Sequence, residues 1–330
     1  MVNIGTVSLA SRCMLAPLAG ISDLPFRLIN RGLGCEFAFT EMISAQALAF
    51  QGKNTIKLLA TVPEDRPLAV QLLGDEPEAM LRSLDILRPY DIALIDLNAA
   101  CPVRKVTAKG EGASLMKEPG KLKDLLSALV RNAFVPVTVK IRAGWDEESV
   151  NARDIALHAQ DAGVSAITVH GRTRVQGYNG GVDYDVIRRV KEAVQVPVIG
   201  SGDALSPHLV KRMFDETGCD GVAIARGALG NPWIFRQTGE FLRAGAISQP
   251  PLEERMAVMV KHLNLCADHY GEQKGTVIFR KLYAWYIRGV PGMRRLKERG
   301  FHASTREEMM ELINELRKSG NAPRSAAPSP

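Results

Sequence analysis

The chain has 330 residues, 46% of them hydrophobic, and a formal net charge of +6 at pH 7. Its length suits one barrel-sized domain plus a smaller one, and the lack of an uncharged apolar run of about 18 residues excludes a transmembrane helix. Five widely spaced cysteines form neither a disulfide framework nor a zinc-binding pattern, and residues 1–12 lack the features of a signal peptide. We therefore expect a cytoplasmic protein without a metal site.

Short apolar segments alternate with helical segments through most of the chain. A small hairpin is predicted at residues 4–9, and Ser22 and Asp23 are placed to cap a helix that begins near Pro25. The predicted strands are residues 14–20, 36–40, 67–74, 92–98, 137–142, 166–170, 197–200 and 221–225. The predicted helices include residues 76–87, 121–131, 149–162, 184–193 and 207–216.

This alternation indicates a parallel sheet, because parallel neighbours need a crossover connection. Eight strand–helix units within roughly 240 residues predict an α/β fold, a closed (β/α)8 TIM barrel. A doubly wound open sheet is the alternative, although no GxGxxG motif follows the first strand.

The last part of the chain has a different pattern. Residues 248–251 (Ser-Gln-Pro-Pro) are typical of a linker, and residues 252–316 carry apolar residues at helical spacing. We predict a barrel domain over residues 1–243, a helical-bundle domain over 250–318 and a disordered tail over 319–330. Residues 250–330 contain 14 Lys and Arg against 9 Asp and Glu, so they account for +5 of the net charge.

Seven basic residues lie between positions 280 and 299, opposed only by Glu298, with Tyr283, Trp285 and Tyr286 among them. They form a solvated helix face around a core of aromatic residues in one interpretation. In the other, they bind the phosphates of a nucleic acid.

Polar or glycine-rich residues lie at the C-terminal ends of six of the predicted strands. Active sites of such barrels lie at this end. Any one of these residues could instead have a structural role, such as packing in the core or hydrogen-bonding to the backbone. The residues are Gln71, Asn98, Lys140 and His170, with the loops 200–203 (Gly-Ser-Gly-Asp) and 225–227 (Ala-Arg-Gly). The two loops follow strands seven and eight, the usual phosphate site of such barrels, and Arg226 can add a bidentate contact, so we expect a phosphorylated ligand.

The buried strand at 92–98 ends in an amide, small residues, a thiol and a proline. Cys101 is a structural thiol in one interpretation, since free cysteine usually packs as a small apolar residue. In the other interpretation Cys101 is reactive, and the polar residues at the ends of the other strands favour this one.

Together these segments resemble the flavin-dependent tRNA-dihydrouridine synthases, most closely their bacterial B-type branch. The resemblance covers residues 13 to about 235 and is weaker in the helical tail. It rests on residues 16–20, 96–102, 139–142, 170–174, 200–203 and 225–233. Two positions depart from the family pattern: Ala100 replaces a glycine, which predicts a slightly reshaped loop, and Ser201 replaces an asparagine.

The resemblance implies tightly bound FMN, NADPH as the reductant and a tRNA uridine whose C5=C6 bond is reduced after the base is extruded. Cys101 would donate a proton to C5, since a thiol of pKa about 8.5 is protonated near pH 7. Lys140 would lie beside flavin N1 and O2, where a positive charge favours the anionic reduced flavin. The implied cofactor-binding residues are Ala16, Pro17, Gln71, Lys140, His170, Gly200, Ser201, Gly202, Asp203, Ala225, Arg226 and Gly227. The implied substrate-binding residues are Asn98, Arg172, Arg174, Arg288, Arg294 and Arg295.

Two other functions fit parts of the pattern. A small-molecule flavin ene-reductase or dihydropyrimidine-type oxidoreductase would share the barrel site but give the basic tail no role. A non-enzymatic RNA-binding module would leave Cys101 and Lys140 without a purpose. We expect a monomer whose partners are tRNA and NADPH.

Overall fold

The computed structural model describes residues 1–289 and 293–320, with side chains described up to residue 317. The chain divides into two compact units. The first consists of Met1–Ala228 and Ile234–Ala246, and the second of Leu229–Trp233 and the chain from Ile247 onward. The boundary at Ile247 lies next to the predicted linker at 248–251. The segment Leu229–Trp233 precedes the linker but belongs to the second unit.

The first unit is built on ten strands. They are β1 Val2–Ile4, β2 Val7–Leu9, β3 Cys13–Leu15, β4 Ala38–Ser44, β5 Leu68–Leu73, β6 Leu94–Ala99, β7 Val137–Arg142, β8 Ala166–His170, β9 Val198–Ser201 and β10 Gly221–Ile224. Strands β1 and β2 form the predicted antiparallel hairpin. The other eight form a closed barrel in chain order, with β10 pairing with β3, and every pair is parallel. The predicted TIM barrel is confirmed, and the open-sheet alternative is wrong.

The two largest differences from the predicted strand boundaries are at the ends of β3 and β4. β3 ends at Leu15 rather than at residue 20, and Pro17 has no N–H for a continuing ladder. β4 runs on to Ser44, because its pairing with β5 resumes after an irregularity between Phe39 and Met42.

Helices connect the barrel strands. They are α1 Leu24–Arg31, α2 Ala45–Ala49, α3 Lys53–Lys57, α4 Pro77–Leu87, α5 Arg104–Thr107, α6 Pro119–Asn132, α7 Ala152–Asp161, α8 Tyr184–Ala193, α9 Pro207–Thr217 and α10 Ile234–Ala244. The start of α1 is as predicted: the Asp23 carboxylate accepts a hydrogen bond from the N–H of Phe26, and Pro25 lies in the first turn, where its missing N–H costs nothing.

One end of the barrel is filled by apolar side chains. Val2, Ile4 and Leu9 of the hairpin pack with Met14 and Phe37, and this cluster is buried. The cluster gathers residues at the N-terminal ends of the barrel strands. The polar residues of the strands lie towards the opposite, C-terminal ends, where a ligand site is expected.

The described residues of the second unit form four helices: α11 Leu252–Tyr270, α12 Glu272–Tyr286, α13 Arg294–His302 and α14 Arg306–Gly320. Tyr283 and Tyr286 are buried in its core, as the structural interpretation expected. Gly275 lets α11 and α12 approach closely, since a Cβ there would lie 2.4 Å from the carbonyl oxygen of Cys266. Of the predicted disordered tail, 319 and 320 end α14, and residues 321–330 lie outside the described residues. Within the described part of the chain, no helix is both long and apolar enough to cross a bilayer.

Candidate active site

A cavity of about 290 Å³ opens among the loops that follow the barrel strands. Nine of the twelve predicted cofactor-binding residues line it: Ala16, Pro17, Lys140, His170, Ser201, Gly202, Asp203, Ala225 and Arg226. The barrel therefore brings together side chains from both halves of the sequence, more than 200 positions apart.

Tight backbone packing joins the two loops after β9 and β10. Gly202 has φ +116° and Asp203 has φ +47°, in the region that glycine adopts most readily. A Cβ on Gly227 would lie 2.1 Å from the carbonyl oxygen of Ala204, so only glycine allows this approach. Gly227 thus acts through the packing of the two loops, and it does not itself line the cavity.

Two arginines bind one carboxylate at the edge of the cavity. Arg172 donates to both oxygens of Asp203, at 3.1 and 2.5 Å, and Arg226 donates to Asp203 Oδ1 at 2.9 Å. Arg172 is buried and also donates to the carbonyl oxygens of Asn179 and Gly180. We expected Arg172 to contact the substrate. Its guanidinium holds Asp203 and the loop at 179–180, and the substrate contact stays a prediction.

Lys140 is the cation inside the cavity. Its Nζ lies 3.5 Å from Ser201 Oγ, to which it donates. Burial and, after it, the nearby Arg142 guanidinium lower its pKa to about 8, while Asp96 acts in the opposite direction. Among the residues that line the cavity, Lys140 and Arg226 are cationic and Asp203 is anionic, and the Arg172 paired with Asp203 adds a further cation, an excess that suits an anionic ligand.

His170 lines the cavity as a neutral imidazole. Its pKa lies far below the usual range, first because of burial and then because of the surrounding cations, Lys140 foremost. Its Nε2 atom is buried and has no hydrogen-bond partner. Buried polar atoms are seldom left unsatisfied, so this nitrogen is available to a ligand.

Cys101 is held in a clamped loop after β6. Asn98 Oδ1 accepts hydrogen bonds from the N–H groups of Ala100 (3.0 Å) and Cys101 (2.8 Å). Arg142 donates to the carbonyl oxygen of Ala100 at 2.7 Å, and the N–H of Ala113 donates to that of Cys101 at 3.1 Å. Burial raises the pKa of the Cys101 thiol, although Arg142 and Lys140 oppose the effect, so the thiol is protonated at neutral pH.

Asn98, which we expected to bind the substrate, has protein partners for both ends of its amide, and the substrate contact stays a prediction. Its carbonyl oxygen is used by the Cys101 loop, and its Nδ2 donates to Gln71 Oε1 at 2.7 Å. Ala100 does not have a positive φ, so its backbone is not strained in this loop, and the slight reshaping relative to the family pattern stays a prediction.

Two further predicted cofactor residues do not line the cavity. Gln71 is buried within the barrel, where it bonds to Asp96 and Asn98. Gly200 faces outward, because a Cβ there would lie 2.6 Å from the sulfur of Met213 on α9. Its role is to let the helix pack against the sheet.

Arg174 contacts other loops of the same face. Its guanidinium lies 4.6 Å from the centre of the Trp145 ring and donates to Thr107 Oγ1 at 3.2 Å. Its Nε is buried without a partner. Arg174 therefore joins the loops after β6, β7 and β8.

The basic residues of the second unit lie on its surface. Arg288, Arg294 and Arg295 are exposed, and Arg294, at 94%, forms an ion pair with the exposed Glu298. Arg280 belongs to the framework, since it donates to the carbonyl oxygen of Ala303 at 2.7 Å. The predicted basic cluster therefore splits into exposed cations and structural ones.

Three contributors were missed by sequence reasoning. Arg142 is fully buried and also donates to the carbonyl oxygens of Thr173 and Gly177. Its sequence signal is that Lys140 and Arg142 alternate with apolar residues in β7. Asp96 alternates with apolar residues in β6 in the same way. Tyr178 lines the cavity with its ring 5.1 Å from the Arg226 guanidinium carbon, and no pattern marked it.

No cluster of three or more His, Cys, Asp or Glu side chains suited to a metal ion occurs among residues 1–289 and 293–317. The cavity is lined by a lysine, a neutral histidine and an arginine, whereas Cys101 and Arg172 belong to the surrounding loops and do not line it.

Comparisons with known proteins extend this description. The family model for dihydrouridine synthase (Dus) matches residues 14–321. The chain is 36% identical over 298 residues to tRNA-dihydrouridine synthase B of Pseudomonas aeruginosa, covering 90% of both chains. It is 39% identical over 289 residues to tRNA-dihydrouridine synthase B of Pectobacterium carotovorum, covering 87% of this chain and 89% of that protein.

Solved structures with the same barrel are more distant in sequence. Histamine dehydrogenase from Rhizobium sp. 4-9 superposes with a TM-score of 0.58 at 13% identity, covering 80% of this chain and 50% of the other. The old yellow enzyme homologue from Zymomonas mobilis gives 0.54 at 11% identity, with 77% and 94% coverage. These likenesses concern the fold alone. The family match and the close relatives show that the chain belongs to the dihydrouridine synthase family, in its bacterial B-type branch.

Proposed function

We propose that the protein reduces the C5=C6 bond of a uridine in tRNA to 5,6-dihydrouridine, using FMN as cofactor and NADPH as electron donor. Family membership supports the reaction, and relatives that match about nine-tenths of the chain are named tRNA-dihydrouridine synthase B. The observation that carries the proposal is the protonated Cys101 thiol. It is clamped at the end of β6 and lies within electrostatic reach of Lys140 in the cavity.

The residues of the cavity fit a flavin nucleotide. The excess of cations suits a phosphate, and the unpartnered His170 Nε2 supplies a contact for a polar group. The paired loops after β9 and β10 form the usual phosphate site of a TIM barrel, with Arg226 at its edge. A bound FMN would supply the hydride that reaches C6 of the uracil, after reduction by NADPH.

The side chains divide the remaining work. Lys140 supplies a positive charge inside the cavity, which would stabilise negative charge on a bound flavin. Cys101 donates its proton to C5 of the uracil, so that one hydride and one proton saturate the double bond. After donating this proton, Cys101 is a thiolate. Arg142 and Lys140 stabilise the thiolate until solvent reprotonates it.

Binding of tRNA requires a second contact area, because the target base must be extruded from a folded RNA. We assign this role to the helical unit, whose exposed Arg288, Arg294 and Arg295 suit phosphate contacts. The protein then acts as a monomer in the cytoplasm, where its substrate is made.

Replacing the thiol tests this function. Cys101→Ala should retain flavin and bind tRNA with unchanged affinity, while dihydrouridine formation falls by at least 100-fold, the upper range for losing a general acid being about 10⁴. Cys35→Ala is the matched control, since that thiol is also buried but lies before β4, at the other end of the barrel.

Dihydrouridine is measured by mass spectrometry of digested tRNA. Unchanged turnover in Cys101→Ala would disprove the acid assignment. A wild-type protein that reduces free pyrimidines or enones but not tRNA would be a small-molecule reductase instead.

A further inference from the structure

A chain of polar side chains crosses the interior of the barrel beneath the Cys101 loop. Asp96 and Asn98 alternate on β6 and so point to the same side of the strand. Gln71 on β5 and Thr138 on β7 are both in register with Asp96. The four side chains are at most 6% exposed, so each polar atom depends on protein partners.

The donors and acceptors in this chain can be assigned by starting from the Cys101 loop. Backbone N–H groups can only donate, so Asn98 must turn its carbonyl oxygen towards Ala100 and Cys101. Its NH₂ group then faces Gln71, which must present Oε1, at 2.7 Å. The NH₂ group of Gln71 in turn faces Asp96 Oδ2, at 2.6 Å, where an acceptor is required.

The hydrogen bond at the other oxygen of Asp96 does not restrict the orientation of the amides. Thr138 Oγ1 lies 2.6 Å from Asp96 Oδ1, and a hydroxyl can donate or accept. Asp96 Oδ2 is therefore the acceptor that ends the chain. If both amides were reversed, the NH₂ group of Asn98 would face two backbone N–H groups and the Cys101 loop would lose its anchor.

We propose that Asp96 is a positioning residue for Cys101: through Gln71 and Asn98, its acceptor oxygen holds the one amide orientation that fixes the Cys101 backbone. The inference rests on the proposed function only for what the thiol does, since the hydrogen-bond path itself is independent of the reaction. The charge of Asp96 is a separate property that acts on Lys140. The two roles predict different responses to substitution.

Four variants separate the acceptor from the charge. Asp96→Asn removes the charge but keeps an oxygen for Gln71, whereas Asp96→Val removes both. Gln71→Met breaks the path one step nearer Cys101 and covers the case in which Asp96→Val does not fold. Thr138→Val is the matched control, because it removes a hydrogen bond to Asp96 that is not on the path.

Two readouts are measured for each variant. The first is the rate at which iodoacetamide alkylates Cys101 in the flavin-free protein, followed by mass spectrometry of the Cys101 peptide. The second is kcat and KM for dihydrouridine formation. Asp96→Val and Gln71→Met should raise the alkylation rate at least fivefold, because the loop opens around a thiol-bearing residue that is now 8% exposed. They should lower kcat at least tenfold with KM for tRNA within twofold.

Asp96→Asn and Thr138→Val should keep an alkylation rate within threefold of the wild type, and Thr138→Val should also keep kcat within threefold. An equal rise in the alkylation rate of Asp96→Asn and Asp96→Val would overturn the inference, because Asp96 would then act through its charge on Lys140. An unchanged alkylation rate in Gln71→Met would also overturn it. A wild-type protein without activity on tRNA would contradict the proposed function alone, since the alkylation rates would still decide the path.

Discussion

Gly227→Ala is expected to separate the two loops that we assign to the flavin phosphate. The added Cβ would lie 2.1 Å from the carbonyl oxygen of Ala204, whereas real Cβ contacts stay above 3.0 Å. The loops must therefore move apart by at least 0.9 Å, the difference between those distances. The opposing atom belongs to the backbone, so rotating a side chain does not relieve the clash. Overpacking of this kind costs about 1–3 kcal/mol, which is roughly 5- to 140-fold in affinity if the strain falls on the phosphate site.

The assay is a flavin titration of the flavin-free protein, followed by fluorescence quenching, with a thermal unfolding curve for each variant. Gly181→Ala is the matched control, because no atom lies within 4 Å of a Cβ at that loop position. We expect Gly227→Ala to bind FMN at least tenfold more weakly and Gly181→Ala to bind it normally. A Gly227→Ala protein with a lowered Tm but normal FMN affinity would refute the phosphate assignment.

Other predictions concern charge and pH. FMN affinity should fall as the pH rises through about 8, where Lys140 loses its proton, and Lys140→Met should abolish this dependence; equal affinity at pH 7 and pH 9 in the wild type would contradict it. Burial lowers the pKa of His262 from 6.5 to about 3, so only the unfolded state gains this proton, and stability should fall below pH 6.5 by up to about 1.4 kcal/mol per pH unit. His262→Gln should flatten that slope in urea titrations of the full chain, and an unchanged slope would exclude His262 as its origin. Combined Arg294→Glu and Arg295→Glu should raise KM for tRNA at least tenfold without slowing flavin reduction by NADPH, whereas an unchanged KM would make both arginines a solvated surface.

The barrel and most of its site could be predicted from the sequence because both follow from periodicity. Each strand is a short apolar run, and in a parallel barrel every strand ends at the same face, so residues at the strand ends must converge. Lys140, His170 and Arg226 meet for this reason, although 86 positions separate the first from the last. The helix at Asp23 was predictable because capping is a local interaction.

The partners of individual polar groups were not predictable in the same way. Arg172 and Asp203 are 31 residues apart, and nothing in their spacing shows that one saturates the other. Asn98 lies at the expected strand end, yet the turn after β6 directs its oxygen to the backbone of Cys101. Which hydrogen bonds a side chain makes depends on loop geometry, and loop geometry is set by contacts between distant segments.

The central claim is that a flavin in this barrel passes a hydride to tRNA. The most direct test is the visible absorption spectrum of the purified protein, recorded anaerobically after addition of NADPH and then of unmodified tRNA. We expect flavin bands that bleach with NADPH and recover with tRNA. Bands that bleach but do not recover with tRNA, or no flavin binding after reconstitution with FMN, would contradict the claim.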